Sequence, residues 1–203
     1  MEQKYIKMYE KLPGLTFGFH GCDLKTFKKV IYEGEGLRKS ENTYDWLGNG
    51  IYFWENSYYR AYDWAEKRFH DQAAVIGAVI DLGYCLNLTD YHSTEVLKMG
   101  YKLLEIRCNQ AQISMPQNGR RNKNHDVLLR DLDCSVIEQL HLYNKDKGYE
   151  DYDSVRGVFS EGAEVYPGSE FREKTHIQLC IVNPNCIKGY FRPVGIEGEY
   201  ANP

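Results

Sequence analysis

The sequence predicts an α+β fold, and three observations lead there. β-rich segments at both ends of the chain flank a middle that reads as helical, so strands, helices and strands follow as blocks and do not alternate. The 203 residues are enough for one full-sized core. With 42% hydrophobic and 27% charged residues the chain is globular, and no repeat or linker divides residues 1–203, so they form a single domain.

The elements follow in order. Residues 1–14 are polar and end in Pro13-Gly14, a turn signal. Leu15 to Gly21 alternates and is β-rich, a strand. Asp23 is placed to cap a short helix through Tyr32, with Phe27, Val30 and Ile31 on its apolar side and Gly34 and Gly36 ending it. Leu37 to Asn49 is a polar surface loop, and Gly50 to Trp54 is a short strand entered through glycines. Asn56 or Ser57 caps a helix to about Phe69. Ala74 to Leu82 is apolar throughout, as a buried strand is. Ser93 or Thr94 opens a helix to about Asn109, with Leu97, Tyr101, Leu104 and Cys108 on one face. A basic polar loop spans Gln117 to His125, and a second helix is expected over Asp126 to Asn144, with Leu129, Leu132, Val136, Ile137 and Leu140 inward. Three strands close the chain, at Ser154–Ser160, Thr175–Asn183 and Cys186–Phe191, with a turn at Pro184-Asn185.

The totals exclude several classes. A formal net charge of -4 argues against duplex binding by bulk charge and leaves room for a local basic groove. The six cysteines show no CxxC spacing and no Cys/His cluster of a zinc site, so neither a metal centre nor a disulfide scaffold is expected. They read as reduced thiols of a cytoplasmic protein. The N-terminus is too polar for a signal peptide, and the longest apolar run, Ala73 to Ile80, is too short to span a bilayer, so no membrane partner is expected.

Two short segments carry the candidate chemistry. His20 ends a strand and is followed by Gly21, which lets a ligand approach the backbone and pair with its N–H and C=O. Tyr52 follows Gly48-Asn49-Gly50 and can offer a ring face to a flat heterocycle, with Tyr62 or Trp64 of the next helix as the second face. The plainer readings are a structural histidine at a strand end and a core tyrosine after a glycine turn.

The segments together resemble a known family. Phe19-His20-Gly21, then Glu35-Gly36-Leu37-Arg38, then Gly48-Asn49-Gly50-Ile51-Tyr52-Phe53 are similar, in order and spacing, to the HG, GL(R) and GxGIYF motifs of PARP-like ADP-ribosyltransferases. Ala61 also fits that pattern, and Thr175 to Pro184 resembles the family's late strand. Residues 85–150 match no named motif. The whole chain resembles small stand-alone bacterial members of this superfamily, often linked to toxin–antitoxin or anti-phage systems. The resemblance implies split antiparallel sheets around an NAD+ cleft, with a helical segment inserted. It also implies NAD+ as substrate, no metal, and roles residue by residue. His20 would bond an adenosine-ribose hydroxyl, and Gly21 would pair its backbone with the nicotinamide amide. Arg38 would lie near the adenosine or pyrophosphate end, and Ser40 is placed with the cofactor-binding residues. Tyr52 would stack on the nicotinamide and orient the ribose, so the rings of His20 and Tyr52 are expected to line one hollow.

The third catalytic position departs from the family's polymer-forming members, because Gln178 stands where they carry glutamate. Glutamine can bond a ribose hydroxyl but cannot act as a base, which favours a single transfer over polymer formation. Glu161, Glu164 or Glu170 of the preceding loop could supply the carboxylate; the plainer reading of these is a solvated loop. Arg120, Arg121, Lys123 and His125 read as a solvated turn, or as a phosphate contact to RNA or DNA with Trp46, Trp54 or Tyr58 stacking an unpaired base. The expectation is therefore a mono-ADP-ribosyltransferase acting on nucleic acid or protein, with an antitoxin protein as a further partner. The alternatives are a non-catalytic NAD+-binding module, an NAD+ glycohydrolase, and an RNA phosphotransferase on the same scaffold.

Overall fold

In the computed structural model, residues 14–121 and 126–195 are described. The α+β expectation holds. Nine strands and four helices follow in the order β1 (Leu15–Asp23), α1 (Leu24–Tyr32), β2 (Ile51–Glu55), α2 (Tyr58–Phe69), β3 (Ala73–Asp81), β4 (Cys85–Asn87), α3 (Ser93–Ala111), β5 (Asn118–Arg121), β6 (Val127–Arg130), α4 (Asp131–Lys147), β7 (Ser154–Phe159), β8 (His176–Ile181) and β9 (Ile187–Phe191). Seven strands form one sheet in the order β4-β7-β8-β2-β1-β3-β9, and β5 pairs with β6 in a separate hairpin. The large sheet is antiparallel except for β4 beside β7.

Alternation along the strands sorts the core into two faces. Ile51, Phe53, Leu179 and Ile181 pack with Ala78 and Ile80 on one side. Leu47, Ile137, Leu140, Val155, Phe159 and Cys180 pack on the other, where α4 lies, with Tyr52 against them. Asp23 caps α1 as expected, its carboxylate accepting the Thr26 N–H at 2.6 Å. Six thiols, all buried, are free.

The middle of the chain corrects the sequence reading. Part of the expected basic loop is strand β5, and the first residues of the expected helix are strand β6; the helix itself begins at Asp131. A three-residue apolar run suits either element, and here the hairpin wins. Its base then caps the helix, because the Asn118 side-chain oxygen accepts the N–H groups of Leu132 and Asp133 at 3.1 and 3.2 Å. The three-residue β4 escaped the sequence reading; its pairing with β7 is long-range and parallel.

The feature that positions the candidate site is the junction of β1 and β2. β1 pairs with β3 at nine positions but with β2 at only two, Gly18–Glu55 and Phe19–Trp54. The sheet is thus one continuous body and not the expected split pair, although the ladder between these two strands lapses beyond Phe19.

Candidate functional site

In register, Gly21 would face Tyr52 across the β1–β2 pair, but the ladder ends at Phe19–Trp54. His20 replaces it: its Nδ1–H donates to the Tyr52 backbone carbonyl at 2.8 Å. Burial lowers the His20 pKa, and the bond to Tyr52 works against that shift. A neutral ring donating through Nδ1 leaves Nε2 as an acceptor, the state needed to receive a hydroxyl hydrogen.

Gly21 is required by packing. A Cβ there would lie 2.4 Å from the Ala61 carbonyl oxygen of α2 and 3.2 Å from Trp64. A ligand could therefore use only the backbone edge of Gly21, since α2 covers its Cα.

Tyr52 is anchored at its tip. Its hydroxyl donates to the Gly48 carbonyl at 2.7 Å and accepts the Leu47 N–H at 2.8 Å. Burial pushes its ionisation well above the ordinary tyrosine range. The hydroxyl is committed to the turn as both donor and acceptor, which leaves the ring face for recognition.

The expectation that both rings line one hollow is not met in that form. His20 shares a sheet face with Gly18 and Phe53, and its ring meets Phe53 edge-on at 5.8 Å. Tyr52 points to the other face with Trp54, Cys180 and Gln178. Strand alternation forces this, because residue 20 falls opposite residue 53 and not 52. The two residues share the β1–β2 gap and one hydrogen bond across it.

On the second face the structure brings together Tyr52 and Gln178. Trp54 pairs with Gln178 and Tyr52 with Cys180, so Tyr52 and Gln178 are diagonal neighbours on adjacent strands. Beside them lies a buried charged cluster. Arg60 Nη2 donates to Glu161 Oε2 at 2.9 Å, and its guanidinium sits 5.4 Å from the Trp54 ring. Glu161 is 8% exposed, and His176 Nδ1 lies 3.6 Å from the same oxygen while donating to the Lys174 carbonyl at 2.6 Å. Burial lowers the His176 pKa. Arg60 Nε and His176 Nε2 are buried without a partner among the described residues. This cluster borders a cavity of about 600 Å³ lined by Arg60, Asp63, Trp64, Glu161 and Lys174. A second, apolar cavity of about 440 Å³ lies between α3, α4 and β7, walled by Trp46, Tyr101 and Phe159. Neither cavity is lined by His20 or Tyr52.

The remaining predicted residues are dispersed. Ser40 exchanges both backbone hydrogen bonds with Gly50, at 2.8 and 3.0 Å, which lays Ser40 beside the entrance to β2. Arg38 is exposed. Tyr62 stacks on Tyr58 at 6.3 Å, on the flank of α2 opposite Arg60 and Trp64, so Trp64 is the ring nearer Trp54, at 5.9 Å. Glu164 turns away from the cluster and caps its own loop at Gly168 N, 2.9 Å away, and Glu170 is exposed. Trp54, at 6% exposed, is too buried to stack a base. Lys123 and His125 lie outside the described residues, as do the side chains of Arg120 and Arg121.

Sequence reasoning missed Arg60 and His176. His176 had a signal, since a period of two places it on the Gln178 face; Arg60 had none. Among the described residues no group of His, Cys, Asp and Glu could hold a metal ion, and no helix is long and apolar enough to cross a membrane.

No protein-family model matches the chain. It is similar to an uncharacterized protein of Methanocaldococcus jannaschii, 27% identical over 196 residues that cover 84% of this chain and 83% of that one.

Proposed function

We propose that this chain is an NAD+-dependent mono-ADP-ribosyltransferase with a macromolecular acceptor, nucleic acid or protein. The observation that carries the reading is the early end of the β1–β2 ladder at the two motif segments, where the His20 imidazole takes the Tyr52 carbonyl. The dinucleotide straddles that gap. Its adenosine ribose lies on the His20 face and bonds Nε2; its nicotinamide amide pairs with the backbone edge of Gly21 and its ring meets the Tyr52 face. Arg38 and Ser40, the latter beside β2, flank the adenosine and pyrophosphate end. The PARP-like fold and the kinship with stand-alone toxin or phage-defence enzymes belong to this proposal.

In the reaction the bond from the ribose anomeric carbon to the pyridinium nitrogen breaks, and nicotinamide leaves with the bonding pair as a neutral molecule. The anomeric carbon turns oxocarbenium-like and forms a bond to an acceptor oxygen or nitrogen. The acceptor proton goes to a carboxylate. Gln178 holds a ribose hydroxyl and cannot take that proton. Glu161 is the carboxylate nearest in kind, on the Gln178 face and beside an open cavity. Catalysis otherwise rests on holding the reacting bond in place.

The test is incubation of the purified protein with adenine-labelled NAD+ and separate RNA, DNA and protein pools. Label should enter one pool with equimolar nicotinamide, and His20→Ala and Tyr52→Ala should abolish both. Intact NAD+ after long incubation, with tight binding by calorimetry, would instead establish the non-catalytic NAD+-binding module. That second reading is favoured by the Arg60–Glu161 ion pair, which already occupies one oxygen of the proposed base. Nicotinamide release with no label in any pool would establish a glycohydrolase.

A further inference from the structure

The glycine turn that carries Tyr52 is held from two sides, by its own sheet through Tyr52 and Cys180 and by α4, which belongs to the stretch 85–150 that the sequence left without a role. Asp131, Cys134, Ile137 and Glu138 of α4 all touch residues 42–49. Thr43 Oγ1 donates to Asp131 at 2.8 Å, and the Cys134 thiol lies 3.6 Å from the Asn42 carbonyl. The Glu138 carboxylate, reaching from mid-helix, accepts the Asn49 N–H at 2.7 Å. Gly48, with φ +81, is pressed so close that a Cβ would stand 2.7 Å from Glu138 Oε1 and 3.0 Å from Ile137. The Tyr52 hydroxyl holds Leu47 and Gly48, the Cys180 thiol also reaches the Gly48 carbonyl at 3.5 Å, and Glu138 holds Asn49. Two peptide units are thus tied, 46–47 by the tyrosine hydroxyl and 48–49 between that hydroxyl and α4.

We propose that Glu138 is a positioning residue for Tyr52: by binding the Asn49 amide it fixes the turn to which the Tyr52 hydroxyl is anchored, and so sets where the long axis of the ring lies. This rests on the nicotinamide-stacking role given to Tyr52. The bond is charge-assisted and therefore stronger than a neutral one, and it acts next to Gly48, whose φ of +81 marks the turn. A ring held at its Cβ and at its para oxygen keeps its long axis in place; loosening the oxygen's partners lets that axis swing. Misplacement of a reacting group by about 1 Å costs on the order of 10²-fold in rate.

The experiment compares wild type with Glu138→Ala, Glu138→Gln and, as a distant control on the exposed side of α3, Glu105→Ala. Two readouts are taken: amide hydrogen exchange of Leu47 and Asn49 by nuclear magnetic resonance, and steady-state nicotinamide release. Glu138→Ala should expose both amides to exchange while leaving β3 and β7 protected, and should lower kcat by about 10-fold or more with little change in KM. Glu138→Gln keeps an acceptor oxygen and should restore protection and most of kcat; Glu105→Ala should match wild type. If Glu138→Ala keeps the protection of Leu47 and Asn49, or if kcat is unchanged in an active enzyme, the inference is wrong. If the amides respond as stated but wild type releases no nicotinamide, Glu138 still holds the turn and it is the transferase reading that fails. General loss of protection across the sheet in Glu138→Ala, unrelieved in Glu138→Gln, would overturn the positioning role in favour of a purely structural one.

Discussion

At the scale of the residue, the Tyr52 hydroxyl and the Glu161 carboxylate divide the chemistry between them. The hydroxyl is fully engaged with the Leu47–Gly48 turn. Tyr52→Phe should therefore cost about 1–3 kcal/mol of stability, because it leaves the Leu47 N–H unpaired and the Gly48 carbonyl with only the weak Cys180 thiol donor, yet keep a ring for stacking. Chemical denaturation checks this; an unchanged midpoint would mean that the hydroxyl does not hold the turn. Glu161→Gln should lower transfer by about 10²-fold or more with little change in NAD+ affinity, the range for losing a general base. Glu164→Gln, which disturbs only a loop turn, should be nearly silent. The sequence named His20, Tyr52, Gln178 and both glutamates. It did not show that Glu161 alone is buried against Arg60, since the two are brought together only by tertiary packing. Nor did it show which face each ring takes, because a period of two gives alternation within a strand and says nothing of register between strands.

At the scale of the element, α2 lies on β1 through a contact that only glycine permits. Gly21→Ala should destabilise by about 1–3 kcal/mol, as overpacking against a backbone carbonyl does, and lower the melting temperature whether or not NAD+ is present. An unchanged melting curve would mean that α2 does not sit there. Elements with strong local signals were legible: the Asp23-capped helix, the apolar β3 and the three closing strands all stand close to where pattern and capping put them. The β5–β6 hairpin and β4 were not. Val127 to Leu129 fits a helix face as well as a strand, and what decides is the Asn118 side chain bonding the α4 terminus from 14 and 15 residues away. The pairing of β4 with β7 likewise depends on a partner far along the chain.

At the scale of the whole molecule, three buried or half-buried histidines give acid sensitivity. Burial lowers the pKa of His20, His141 and His176 below the ordinary 6.5. The unfolded chain then binds more protons than the folded one once pH drops below about 6.5, so stability is present above that value and is lost as pH falls through the folded pKa values. The denaturant midpoint should fall between pH 7.5 and 5.5; a flat profile would mean that these rings are not shielded as described. The transferase reading joins parts from every layer of the fold: β1 and α2 supply the gap and its glycine, β8 supplies Gln178, and α4 braces the Tyr52 turn. Titration of a non-cleavable carba analogue of NAD+ into the isotope-labelled protein tests that arrangement most directly. The account predicts amide shifts concentrated at Gly21, Ser40 and Tyr52, on both sides of the β1–β2 gap; saturating shifts elsewhere, or none at millimolar ligand, would contradict it.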